Sequence, residues 1–333
     1  ARARVPAEFV ATFGGASAVL VADVNTFEAT GRDVSDAFRS AGVPAVEPFI
    51  FGPDIHAESR DVERLEAALR DRDAVPVAVG SGTINDLTKL ASHRLGRPYM
   101  AVATAASMDG YTAFGASITH HGSKQTFDCP APRAVVADLE VIAGAPAPMN
   151  SRGYADLLAK NVAEAIDPGV WGTVQRRLKK WVGDPAGVAG NRPEALANLI
   201  DGLLMSGFAM QAHQTSRPAS GADHQFSHLW DMQDHTFRGV APSHGFKVGV
   251  GTLASVALHE DLIARDLRDV DVDRAVAAWP TFEQEEARAE ALFGPGPLAA
   301  KSIKETRAKH PEPGELREQL VRLRDAWPEL RRR

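Results

Sequence analysis

The chain has 333 residues, 24% of them charged, with a formal net charge of −6. The two signs are mixed along it, which excludes a nucleic-acid-binding stripe and leaves Arg331-Arg332-Arg333 as a solvated tail. A 44% hydrophobic content at this length suits about two globular domains; the single Cys129 excludes an internal disulfide framework and fits a reducing, cytoplasmic setting, and the chain shows neither a signal peptide nor an apolar run of ~18 residues.

Ala18-Val-Leu-Val-Ala22, ending in Asp23, predicts a buried strand. Thr30 to Ser40 predicts a helix, and Val46 to Phe51 a second strand. Arg60 to Arg70 places Val62, Leu65, Ala68 and Leu69 on one helical face. Val75 to Val79 is the next strand and runs straight into Gly80-Ser81-Gly82, followed by a helix over 84–95. Tyr99 to Ala103 and Val135 to Ala137 are further strands, the last ending in Asp138. This alternation implies a parallel, doubly wound, Rossmann-like sheet.

Ala143-Gly-Ala-Pro-Ala-Pro148 marks a change of composition. It divides an α/β domain, 1–148, from an all-α domain, 149–333. Helices are expected over 151–166, 170–182, 193–215, 222–235, 245–266, 271–291, 296–309 and 313–326. Pro193, Pro280, Pro297 and Pro313 fall near expected helix starts, where the missing N–H is tolerated.

Gly80-Ser-Gly-Thr-Ile-Asn-Asp86 leaves a strand and opens a helix. Glycines there let backbone N–H groups approach a pyrophosphate at the positive end of the helix. No Gly-Lys-Ser/Thr follows, so this is not a P-loop, and the third glycine of the dinucleotide fingerprint is missing. A turn capped by Ser81 or Thr83 is the competing reading. Thr104-Ala-Ala-Ser-Met-Asp-Gly110 leaves the next strand at the carboxyl edge, where its hydroxyls and carboxylate suit ribose, phosphate or a polyol, or simply cap a loop. Asp23 can accept bonds from ribose hydroxyls, or cap a helix.

The strongest pattern lies downstream, in Gly221-Ala-Asp-His224-Gln-Phe-Ser-His228 and Ser243-His244-Gly245, with Asp156 upstream in Gly153-Tyr-Ala-Asp-Leu-Leu-Ala-Lys160. Asp156 beside two leucines is costly to bury without a partner, and Lys160, one turn on, offers the bland alternative of an ion pair. A carboxylate with neutral imidazoles is the donor set of a borderline divalent cation. His224 and His228 share one helical face.

Together Gly-Ser-Gly-Thr-Ile-Asn-Asp, Thr-Ala-Ala-Ser-Met-Asp-Gly-Tyr and Asp-Leu-Leu-Ala-Lys resemble the glycerol-1-phosphate dehydrogenases of the AraM-like branch, in the metal-dependent alcohol dehydrogenase and dehydroquinate synthase superfamily. The resemblance runs from about Ala18 to the segment Lys304 to His310. It implies a dehydroquinate synthase-like fold and hydride transfer between NAD(H) or NADP(H) and dihydroxyacetone phosphate or sn-glycerol 1-phosphate. By motif, Asp23, Gly80, Ser81, Gly82, Thr83, Ile84, Asn85, Asp86, Thr104, Ala105, Ala106 and Ser107 would hold the cofactor. Asp109, Asp156 and His228 would be catalytic and bind substrate. Asp156, His224 and His244 would hold one divalent metal, zinc first, then nickel or iron, because in this superfamily the first histidine of a His-x3-His pair is the ligand. A homodimer or larger homo-oligomer is expected, with the site in the cleft between the two domains. The chain departs from the family at Ala113, where a serine is common. Competing readings are a glycerol or other polyol dehydrogenase, a cyclase that recycles its NAD, and a non-catalytic NAD-binding protein.

Overall fold

The structure is a computed structural model that describes residues 1–120, 123–158, 168–215, 221–233 and 235–332. Its main sheet has five parallel strands in the order β2-β1-β3-β4-β7, formed by β1 (Ala18–Asp23), β2 (Ala45–Phe51), β3 (Val75–Gly80), β4 (Met100–Ala103) and β7 (Ala134–Ala137). Between β4 and β7 the chain forms an antiparallel pair, β5 (Ala116–His120) with β6 (Ser123–Phe127), in which Ala116 faces Phe127.

The sheet is covered on both faces, which is why its strands read as continuous apolar runs. Successive side chains alternate between faces. Val19 and Val21 join Val62, Leu65 and Leu69 of α4 (Ser59–Arg70) and Ile84 and Leu87 of α5 (Gly82–Arg94). Ala18, Leu20 and Ala22 join Val5 and Phe9 of α1 (Val5–Phe13) and Val34 and Phe38 of α3 (Arg32–Ser40). A short α2 (Val24–Thr26) leads through a π-helical turn into α3. The strand order reverses between β1 and β3, so the loops after Asp23 and Gly80 flank the crevice where open α/β sheets bind ligands.

After β7 the chain turns helical: α6 (Leu139–Gly144), α7 (Ala147–Leu158), α8 (Pro168–Trp181), α9 (Pro185–Ala189), α10 (Pro193–His213), α11 (Ala222–Met232), α12 (His244–Ala264), α13 (Val272–Ala278), α14 (Phe282–Phe293), α15 (Pro297–Arg307) and α16 (Pro313–Leu330). Leu157, Trp181, Leu196, Leu199 and Leu203 form a separate core among α7, α8 and α10. The α/β sheet followed by an all-helical stretch is the expected architecture. No helix among the described residues is long and apolar enough to cross a membrane. By compactness the chain forms two units, 1–231 with 236–252, and 232–235 with 253–333; in the second, α14 packs with α15 and α13 with α16.

Some elements differ from the sequence expectation. The helix expected over 271–291 is two helices. Pro280 cannot continue α13, and Thr281 starts α14 afresh, its hydroxyl accepting from the Gln284 N–H while the Gln284 side chain accepts from Thr281 N–H at 3.0 Å. The helix expected over 222–235 stops at Met232, and the one over 151–166 begins earlier, at Ala147; its stretch from 159 lies outside the described residues, as does Lys160. The β5–β6 pair, α1, α6 and α9 were not anticipated.

Two glycines set how closely α7 is approached. A Cβ on Gly153 would stand 2.0 Å from the Ala106 carbonyl oxygen, so α7 lies directly on the loop leaving β4. A Cβ on Gly245 would stand 2.6 Å from the Cβ of Arg152, so the start of α12 lies directly on α7. Asn150 ties the first contact, accepting from Ala106 N–H at 2.9 Å. Gly153→Ala should therefore destabilise the chain by roughly 1–3 kcal/mol through overpacking against backbone, read as a lower urea midpoint at unchanged slope. An unchanged midpoint would show that the contact yields freely.

Candidate active site

Three chemistry-bearing side chains converge from three helices. Asp156 comes from the last turn of α7, His224 from the first turn of α11, and His244 is the first residue of α12. Their ligand atoms all lie within 4.8 Å of one another. Asp156 is 2% exposed and His224 5%. Asp156 Oδ1 stands 3.4 Å from His224 Nε2, and Oδ2 accepts from the backbone N–H of Asp109 at 3.1 Å. The rings of His224 and His244 are 5.4 Å apart between centroids.

The surroundings orient the donors. Asp223 places a carboxylate oxygen 3.6 Å from His224 Nδ1, and Ser227 Oγ lies 3.3 Å from His244 Nδ1. Carboxylate and hydroxyl partners of this kind fix the tautomer of ligating imidazoles. Burial, followed by the charge of Lys124, pushes the His244 pKa well below its ordinary value. His244 is thus neutral, the state that offers a lone pair to a cation. One carboxylate and two imidazoles, close and held from behind, fit a divalent cation.

A pocket of about 360 Å³ opens beside the triad. Asp156, Ser243, His244 and Gly245 line it, as do Ser81, Gly82, Thr83, Asp86, Ser107, Met108 and Asp109 from the loops after β3 and β4. β3 and β4 pair Gly80 with Ala103, which sets the two loops side by side. Ser81 is the N-cap residue of α5, yet its side chain makes no capping bond. The first-turn amides of a 13-residue helix thus start at the pocket without a side-chain cap, an arrangement suited to an anion.

The other sequence-predicted residues stand elsewhere. Gly80, Ile84, Asn85, Thr104, Ala105 and Ala106 are buried and do not line the pocket. Asn85 accepts from the Tyr99 hydroxyl at 3.2 Å and donates to Gly110 O, and Thr104 N–H donates to Gly80 O. Asp23 caps α2, its Oδ1 accepting from Asn25 N–H at 2.8 Å and Thr26 N–H at 3.0 Å. Asp109 Oδ2 accepts from the Ser206 hydroxyl at 2.8 Å. His228 is exposed, its ring 6.3 Å from that of His224.

Sequence reasoning missed Lys89, Lys124 and Arg152. The Lys89 ammonium is buried and donates to the carbonyls of Gly110, Ala113 and Gly115 at 2.9, 2.9 and 3.0 Å, pinning the loop that carries Asp109. Burial lowers its pKa, opposed by the Asp86 carboxylate, whose own pKa burial raises. Ala113, the departure from the family pattern, is buried, and its carbonyl is one of the three that Lys89 holds. Lys124 and Arg152 line the pocket. Arg152 had a signal, since it precedes Asp156 by one helical turn.

Residues 3–146 match the sequence model of the iron-containing alcohol dehydrogenase family. A glycerol-1-phosphate dehydrogenase [NAD(P)+] of Halalkalibacterium halodurans is 33% identical over 258 residues, 73% of this chain and 64% of that protein, so the chain spans under two thirds of its length. One of Bacillus subtilis is 30% identical over 297 residues, 84% of this chain and 75% of that protein. The crystal structure of glycerol dehydrogenase from Schizosaccharomyces pombe superposes with a TM-score of 0.64 at 19% identity, covering 99% of this chain and 89% of that one, and shares the fold.

Elemental analysis tests the triad. His244→Ala is expected to lose bound divalent metal while the sheet stays folded, and His228→Ala to keep it. Retention in His224→Ala with loss in His228→Ala would transfer the ligand role from His224 to His228.

Proposed function

The chain belongs to the glycerol-1-phosphate dehydrogenase family within the iron-containing alcohol dehydrogenases, and on that premise we propose that it interconverts dihydroxyacetone phosphate and sn-glycerol 1-phosphate by hydride exchange with NAD(H) or NADP(H), aided by a divalent metal. The observation that carries the reading is one pocket lined by both Asp156 and His244 of the triad and by the uncapped start of α5. In this reading residues 1–148 supply the cofactor site and 149–333 the metal and substrate site. The chain is taken to work as a cytoplasmic homo-oligomer, a reading with which its single cysteine, Cys129, unable to form an internal disulfide, is consistent.

Held by Asp156, His224 and His244, a divalent cation would polarise the substrate's carbonyl oxygen, zinc being first choice and nickel or iron next, while the nicotinamide supplies the hydride. The amides of Gly82 and Thr83 would receive the cofactor pyrophosphate, with Ser107 beside it. Asp109, its carboxylate steadied by Ser206 and its N–H steadying Asp156, would accept a bond from a substrate hydroxyl. His228, exposed beside His224, would pass a proton between the site and water. Asp23 would accept bonds from the adenosine ribose through Oδ2, since both capping bonds fall on Oδ1.

The decisive assay follows NADH oxidation with dihydroxyacetone phosphate before and after chelation. We expect stoichiometric NADH loss, a fall of roughly a hundredfold or more on chelation, and recovery with zinc. Turnover indifferent to chelation would sink the metal-dependent reading, and product formation without net NADH consumption would favour a cyclase.

Cofactor choice is tested at Asp23. A 2′-phosphate beside its carboxylate would bring like charges together, so NADH should be preferred over NADPH. Asp23→Gly should narrow or reverse the ratio of kcat/KM for the two cofactors, while costing the α2 cap only about a few tenths of a kcal/mol. An unchanged ratio would confine Asp23 to its capping role.

A further inference from the structure

Two cations in the pocket have no part in the metal or cofactor roles. Lys124, from β6, and Arg152, from α7, both line it and are half-buried. Neither makes a hydrogen bond or ion pair with any described residue. Ser243 lines the same wall beside His244, and its hydroxyl oxygen is buried with no hydrogen-bond partner. The pocket's carboxylates are in the opposite condition. Asp156 faces His224, Asp109 is bonded by Ser206, and Asp86 accepts from Asn85 and from Ser117 N–H. Lys124 feels the carboxylates of Asp231, Asp86 and Asp156 only through space, so the donors of both cations stay unmatched beside an unsatisfied hydroxyl, a costly state unless a ligand completes them.

The position separates this ligand from the cofactor. Lys124 lines the same pocket as Asp156, Ser243 and His244, so the ammonium shares the space beside the triad. Arg152 meets the start of α12 at Gly245, next to His244. The cofactor pyrophosphate has its own receptor in the amides that open α5.

We propose that Lys124, Arg152 and the Ser243 hydroxyl form the subsite for the phosphate dianion of the substrate. This rests on the reading of the pocket as that of a polyol-phosphate dehydrogenase. A guanidinium offers two parallel donors to a phosphate, an ammonium a compact point charge, and a hydroxyl a short neutral donor. An unphosphorylated ketone leaves both cations and the hydroxyl unsatisfied, so the same three groups discriminate against it.

The test compares the metal-loaded full chain with Lys124→Gln, Arg152→Gln and Ser243→Ala. Rates are measured with dihydroxyacetone phosphate and with dihydroxyacetone, and inorganic phosphate is titrated calorimetrically. Each charge variant should raise KM for the phosphorylated ketone by roughly tenfold to a hundredfold and lower its selectivity over dihydroxyacetone by a similar factor. Phosphate binding should weaken in parallel, KM for NADH should move less than about twofold, and Lys124→Arg should recover most of the loss. Equal falls in kcat with both ketones at constant selectivity would make Lys124 a proton donor and overturn the proposal. A raised KM for NADH would assign the cations to the cofactor and overturn it too. Should the wild type fail to turn over the phosphorylated ketone, the functional reading fails separately. The phosphate titration still decides the subsite: binding lost in the variants upholds it, and no binding by the wild type removes it.

Discussion

Everything at the site hangs on α7 lying against the loop that leaves β4. That contact is closer than any side chain allows, because Gly153 puts its α-carbon over the Ala106 carbonyl. Asn150 fixes the register, and the N–H of Asp109, from the same loop, reaches back to Asp156. The carboxylate of the triad is therefore referenced to the parallel sheet through backbone rather than through flexible side chains. The start of α12 is set on the other side of α7 by the same means, at Gly245. Two helices that meet at glycine place His244 and Asp156 within reach of a common ion with little freedom to drift.

The electrostatics follow from that packing. Lys89 is stripped of water, yet its three donors are matched by three carbonyls, so its charge is spent on backbone dipoles rather than on a partner ion. Asp86, one turn away, is buried enough that its pKa rises. His244 is driven neutral by burial and by Lys124. The result is a pocket in which Lys89 and the carboxylates find partners within the protein, while Lys124 and Arg152, with no hydrogen bond or ion pair to a described residue, line the space a ligand would fill.

Much of this was legible in the sequence. Strands buried on both faces must be apolar throughout, so Ala18 to Asp23 and Val75 to Gly80 stood out, as did the loop that follows each. The triad was legible because a carboxylate among leucines and two histidines near small residues demand an explanation. The β5–β6 pair was not, because Ala-Ser-Ile-Thr-His and Ser-Lys-Gln-Thr-Phe are short and half-polar, and their pairing is set by neighbours rather than by propensity. Its contents were therefore hidden, Lys124 among them. Pro280 is placed by the sequence near a helix start, yet the apolar pattern of 271–291 runs across it, and only the Thr281–Gln284 capping box shows that the helix begins anew there.

The β5–β6 pair is an excursion between two strands, β4 and β7, that pair directly with each other. Its two strands take no part in the order or register of the main sheet. It is moored by Ala116 and Ile118, buried in the core with α4 and α5, by Thr119 N–H on the Ala57 carbonyl and by the Ser59 hydroxyl at 2.7 Å from His120 Nδ1. Of the three groups proposed to meet the phosphate, Lys124 alone rides on this ribbon, whereas Arg152 shares α7 with Asp156 and Ser243 adjoins His244. Exchanges at Lys124 would alter the lining of the pocket while the main sheet and the helices that carry Asp156, His224 and His244 keep their own sequence. A lineage built this way can vary one wall of its pocket from outside the main sheet.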